Sequence, residues 1–146
     1  MKSLKTGEED KYVLTTGPSV GGKKLKPLKI TLVYSDAPGS TASRTALVND
    51  LDIIVYSETS PPVEYVPNGF QQATRDPINP VEHVTIVDPL PNTKYTVVVK
   101  GVQVVVAHPN TAGQPYSLVV TGDFEAPAEY YGGRAPEVQV GSGTKI

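Results

Sequence analysis

The chain is predicted to be all-β: a β-sandwich or jelly-roll barrel of about eight short antiparallel strands. Three observations carry this. Apolar and polar residues alternate at period two in several short runs, as along Tyr95, Val97 and Val99, which is the mark of a half-buried strand. No window of about eleven residues repeats apolar positions at i, i+3, i+4 and i+7 without Pro, Gly or a β-branched cluster intervening. Finally, 14 Pro and 13 Gly among 146 residues suit many short strands joined by tight turns.

Taken in order, the expected strands are Lys11–Thr15, Lys29–Tyr34, Leu51–Tyr56, Val63–Val66, Val81–Val87, Lys94–Lys100, Gln103–Ala107 and Tyr116–Thr121. Turn chemistry separates them at Gly17-Pro18, Ala37-Pro38-Gly39, Ser60-Pro61-Pro62, Pro67-Asn68-Gly69, Pro89–Asn92 and Pro109–Gly113. The run Val102–Val106 is ambiguous, because Gln103 alone interrupts apolar residues. Residues 1–124 are read as one sandwich domain. Residues 125–146, rich in Gly, Pro and Ala, read as a linker or flexible tail. Met1 ahead of a polar stretch reads as the start of a piece cut from a longer protein.

Composition narrows the function. A net charge of −2 gives no electrostatic case for nucleic acid or an anionic membrane surface, and no apolar run approaches the length of a transmembrane helix. The absence of cysteine removes disulfides and thiolate chemistry. Catalysis fails on inventory: a serine triad needs a histidine beside a positioned serine, and the chain has only His83 and His108. His83 follows Glu82 on a strand and so faces the other way, while His108 precedes Pro109 in a turn. No G-x-S-x-G elbow is present. The segment Gly17–Lys24 nearly spells a phosphate-binding loop, yet Lys24 stands where Ser or Thr is needed and a strand follows instead of a helix. Lys23, Lys24, Lys26 and Lys29 read as a solvated strand edge. Tyr12, Tyr34, Tyr95 and Tyr116 are expected in the core, with their hydroxyls at its rim.

The stretch from Leu28 to Val55 concentrates oxygen donors. A strand runs into an acidic turn at Asp36, and the next strand opens with Asn49, Asp50 and Asp52. Residues i and i+2 share a strand face, so Asp50 and Asp52 point the same way. Two readings of these residues stand. Calcium takes six to eight oxygens from carboxylates, amides and carbonyls; Asp36, Asn49, Asp50, Asp52 and Glu82 would supply them, with Asp76 as a further donor. Alternatively, Asp36 caps the Ala37-Pro38-Gly39 turn, Asn49 and Asp50 end the loop, and Asp52 pairs with Arg44 or Arg75.

The same stretch resembles a family. LKITLVYSDAPGS followed by ALVNDLDI is similar to the pattern L-K-[VI]-[TS]-L-V-[WY]-[ST]-D-x-P-G-S then A-L-V-N-D-L-D-L, found in the β-barrel domain C-terminal to the catalytic domain of many subtilisin-like serine proteases. PVEHVTIVDPLPNTKYTVVVKGVQV and AGQPYSLVVTGDF extend the resemblance, so that it covers roughly Leu4 to Phe124. The chain departs from the pattern at Ile78-Asn79-Pro80, where relatives carry consecutive asparagines, at Tyr34 in place of Trp, and at Thr93 in place of Gly. The resemblance implies a non-catalytic accessory domain of a secreted, extracellular endopeptidase, whose Asp-His-Ser triad lies in a separate α/β domain of the same polypeptide. The domain would stabilise that partner and aid substrate access, and it would carry calcium and act as a monomer. The alternative is an independent module that targets the protease to collagen-like protein or polysaccharide.

Overall fold

Alternating burial organises every long strand of the computed structural model, which describes residues 2–39, 47–67, 79–125, 129–131 and 138–140. Among the described residues there are eleven strands and no α-helix. They are β1 (Ser3–Leu4), β2 (Glu9–Thr15), β3 (Leu28–Val33), β4 (Asn49–Ser57), β5 (Glu64–Tyr65), β6 (Val81–Ile86), β7 (Lys94–Val104), β8 (Gln114–Pro115), β9 (Ser117–Thr121), β10 (Glu129–Tyr131) and β11 (Val138–Val140). One sheet runs β10-β2-β7-β4-β5, the second β11-β9-β3-β6, and β1 pairs with β8. The chain crosses repeatedly between the two large sheets, as in Greek-key sandwiches. The all-β sandwich expected from the sequence is thus the fold.

Both sheets supply one core. Tyr12, Leu14, Leu51, Ile53, Val55, Tyr95, Val97 and Val99 come from the five-stranded sheet, and Leu28, Ile30, Leu32, Val84, Ile86, Leu118 and Val120 from the four-stranded one. Each set sits at i, i+2, i+4 along its strands, so a single face of each sheet is buried. Burying a side chain of this size stabilises by about 1.5–3 kcal/mol.

The strand count differs from the expected eight for two reasons. Strands β1, β8, β10 and β11 have two or three residues each, too few to register as an alternating pattern. In the other direction, the expected strands Lys94–Lys100 and Gln103–Ala107 are one strand, β7. Its pairing with β4 skips a residue: Leu51 lies opposite Gly101 but Asp50 opposite Gln103, leaving Val102 as a bulge. The bulge shifts the side-chain phase, so Tyr95, Val97 and Val99 face the core, and beyond the bulge Val104 packs against it. That shift is why the run read ambiguously. Within residues 125–146, read from the sequence as a linker or tail, β10 adds antiparallel to β2 and β11 adds parallel to β9.

The N-terminal segment is threaded through the end of the sandwich. Leu4 is buried, and the Lys5 and Leu4 carbonyls lie so close to Gly101 and Gly113 that a β-carbon on either glycine would collide with backbone. Gly7 N–H donates to the Gly101 carbonyl, and Gly101 N–H donates to the Glu8 carbonyl. Gly101→Ala or Gly113→Ala is therefore expected to lower stability by about 1–3 kcal/mol through overpacking, read as a fall in the urea midpoint at unchanged m-value. Gly17→Ala, at a position with open space around it, serves as the control.

Candidate functional site

The turn after β3 and the residues after β7 converge on the start of β4 at Asn49. The Asp36 carboxylate grips its own turn and the start of β4: Oδ1 accepts from Ala37 N–H and Asn49 N–H, both at 2.8 Å, and Oδ2 accepts from Val48 N–H at 2.7 Å. Asn49, fully buried, carries the connection onward. Its Nδ2 donates to the Val106 carbonyl at 2.7 Å and to Gln114 Oε1 at 2.8 Å, while its Oδ1 accepts from Val105 N–H at 2.8 Å and Val106 N–H at 3.1 Å. Gln114 Nε2 then donates to the Ser35 and Pro115 carbonyls. The Tyr34 hydroxyl donates to the Asn49 carbonyl and accepts from Leu51 N–H. The ends of β3, β4, β7 and β8 are thereby tied together by side-chain amides that substitute for a ladder, where the chain turns and no strand neighbour remains.

The five residues expected as calcium donors divide between roles. Asn49 Oδ1 has both lone pairs taken by backbone amides, and Asp36 accepts three amides. The Asn49 oxygen is thus fully committed, while Asp36 keeps about one of its four acceptor sites. Asp50 and Asp52 share the face of β4 turned away from Leu51 and Ile53, as alternation requires, and Asp52 is buried there. Glu82 is buried and joins the sheets, its Oε2 accepting from Ile53 N–H at 2.6 Å. Among the described residues, no three Asp, Glu or His side chains form a group suited to a metal ion. Asp76, Arg44 and Arg75 lie outside the described residues, so the pairing of Asp52 with either arginine does too. At Asp36 and Asn49 the hydrogen bonds shown are those that hold the turn after β3 to the start of β4.

A second polar chain runs through the core. Lys2 Nζ pairs with Asp10 Oδ1 at 3.2 Å, the Tyr116 hydroxyl donates to Asp10 Oδ2, and the Tyr12 and Tyr116 hydroxyls are hydrogen-bonded to each other. The four core tyrosines are buried as expected, but these two hydroxyls are inside the sandwich instead of at its rim. Sequence reading missed this chain because Lys2 and Asp10 look like ordinary surface charges. The one available signal was Asp10, two residues before Tyr12 on the same strand face.

The histidines stand apart from both networks. His83 is exposed while Glu82 is buried, with its ring nitrogens hydrogen-bonded to the Thr31 and Thr85 hydroxyls at 2.8 and 2.7 Å. His108 Nδ1 accepts from Asn110 N–H. The Gly17–Lys24 segment is a loop, turning at Gly21 and Gly22 with positive φ, and it leads into β3. Lys24 pairs with Asp88 in solvent, a contact worth little.

No protein-family model matches the chain, and no curated protein matches it. Fold and hub define an all-β sandwich domain in which Asp36, Asn49 and Gln114 are hydrogen-bonded to the scaffold.

Two outcomes follow from these networks. Asn49→Ala leaves two amides and two acceptors of a buried site without their partner, and is expected to cost roughly 2–5 kcal/mol in chemical denaturation. Asp36→Ala, in a half-buried setting, should cost less. Burial also raises the pKa of both Tyr34 and Tyr116 above the usual 10.0, with the charges of Asp50, Glu82 and Asp36 adding to the effect at Tyr34 and the hydrogen bonds to Asp10 and Tyr12 at Tyr116. The folded state then holds protons that the unfolded chain releases. Stability from these groups is fully present below about pH 10 and falls above it by about 1.4 kcal/mol per pH unit for each tyrosine. An alkaline titration should show tyrosinate absorbance from these two rings rising only together with loss of the fold.

Proposed function

We propose that this chain is a non-catalytic β-sandwich accessory domain of a secreted subtilisin-like serine endopeptidase, C-terminal to the catalytic domain and serving to stabilise it. One observation supports this reading above others: the residues that carry the family resemblance are those that build the domain. Asp36 and Asn49, from the D-x-P-G-S and V-N-D-L-D motifs, and Gln114, from the Q-P-Y motif, are joined in one hub, while Tyr116 lies in the core. A motif that spells out architecture implies a shared fold and leaves the chemistry to another part of the polypeptide. The histidines agree with this, since an imidazole bridging two threonine hydroxyls on an exposed sheet face is braced instead of poised against a nucleophile. The stabilising effect needs only an interface made with the folded protease and not with the unfolded one.

The test is thermal inactivation of the parent protease with and without this domain. Its removal is expected to lower the inactivation temperature by several degrees with little change in peptide hydrolysis per folded molecule. An unchanged inactivation temperature, together with retention of the isolated domain on collagen, chitin or cellulose, would replace this reading with the targeting module. Because Asp36 and Asn49 are satisfied by protein groups, the isolated domain should melt at the same temperature in calcium and in EDTA; a fall of several degrees on chelation would restore the structural ion.

A further inference from the structure

We propose that the loop between β2 and β3, together with the residues that follow β9, forms a docking groove for an extended acidic peptide segment of a partner protein, one whose carboxylates alternate with apolar side chains. Lys23, Lys24 and Lys26 do not lie on a strand edge. They precede β3, which begins at Leu28, and they line an open groove of about 450 Å³. Its apolar lining comes from Pro18, Val20, Leu25 and Phe124, and Val20 is 73% exposed. A concave, mostly apolar site with a few charged groups at fixed places is the ordinary form of a ligand pocket, and this one falls in the usual size range.

The groove is built in advance of any ligand. Gly17 N–H donates to the Asp123 carbonyl, Asn92 N–H to the Gly17 carbonyl, and Lys26 N–H to Asp123 Oδ2 at 2.7 Å, so both ends of the loop are pinned. Between them Lys23 N–H donates to the Val20 carbonyl and the Ser19 hydroxyl to the Lys23 carbonyl. These bonds close a turn through Gly21 and Gly22, both at positive φ. A backbone braced in this way has little freedom left to lose on binding.

Charge selects the occupant. Residues 17–29 carry four lysines and no acid, in a chain whose net charge is −2. Lys24 pairs with Asp88 in solvent, and an exposed pair of this kind is exchanged for a ligand carboxylate at little cost. The groove also holds Asp123 and Glu125, which together with the net negative charge disfavour a dense polyanion such as nucleic acid. A peptide suits both signs. Its side-chain carboxylates meet the lysines, while its backbone N–H groups donate to Asp123 and Glu125. Apolar side chains between those carboxylates cover Val20 and Leu25, which gives the contact a term that salt does not screen.

The test is fluorescence anisotropy on the full chain with a short labelled peptide in which aspartate alternates with leucine. This peptide should bind, and the double variant Lys23→Glu, Lys24→Glu should bind it at least about tenfold more weakly, since two attractions become two repulsions. The double variant Lys11→Glu, Lys94→Glu makes the same change of charge at exposed positions of β2 and β7 and should hold the affinity to within about twofold, because distant surface charges are screened. A peptide with serine in place of leucine should bind more weakly than the leucine peptide, and Val20→Ser should narrow that difference. All four substituted lysines are exposed, so the variants are expected to keep the fold, which their unchanged melting temperatures would verify. The proposal is overturned by no binding of the leucine peptide at millimolar concentration, by equal losses in the two double variants, by equal affinity for the leucine and serine peptides, or by tighter binding of a DNA duplex than of either peptide.

Discussion

One buried amide constrains this domain more than any other group. Asn49 is sealed from solvent at the point where four strand ends meet, and its side chain makes the hydrogen bonds that those ends cannot make with one another. A carboxamide suits the position because it offers two donors and two acceptor lone pairs in one plane. Asp36 sets that amide in place by holding the Asn49 backbone, and Gln114 relays the connection to Ser35. The ends of β3, β4, β7 and β8 are thus fixed to a common point, and β4 starts with its apolar face turned inward.

A second constraint acts at close range. The N-terminal segment passes over Gly101 and Gly113 at a separation that no side chain would tolerate, and the bulge at Val102 re-phases β7 just beyond that crossing. Bulge and glycine belong together. The bare backbone at Gly101 admits the crossing segment, and the extra residue turns Val104 back to the core. Farther along the same segment, Lys2 reaches Asp10, and Asp10 holds Tyr116 and through it Tyr12. An ion pair sunk in an apolar core contributes little net stability but strongly disfavours arrangements in which one member is left alone. Its role here fits specification of where the first strand lies.

These networks bear directly on the functional reading. Polar residues gathered in a β-protein invite a catalytic or metal-binding account, yet the Asp36 carboxylate and the Asn49 amide oxygen here accept backbone amides. The stretches that resemble the subtilase accessory domain contribute mainly to that scaffold.

Much of the fold was legible in the sequence, and the reason is period. Strands long enough to alternate several times, such as Leu28–Val33 and Val81–Ile86, announce their buried face residue by residue. The exposure of His83 against the burial of Glu82 follows from the same rule. Strands of two or three residues carry no period, and a bulge inverts it, so β1, β8, β10, β11 and the true length of β7 could not be read in advance. At the candidate site the sequence singled out Asp36 and Asn49 as oxygen donors but left their partners open. A carboxylate's chemistry is the same whether it faces a cation or three amides. Only the tertiary structure brings Val48, Val105, Val106 and Gln114 to these side chains, because most of these partners lie in distant parts of the chain that no local pattern connects.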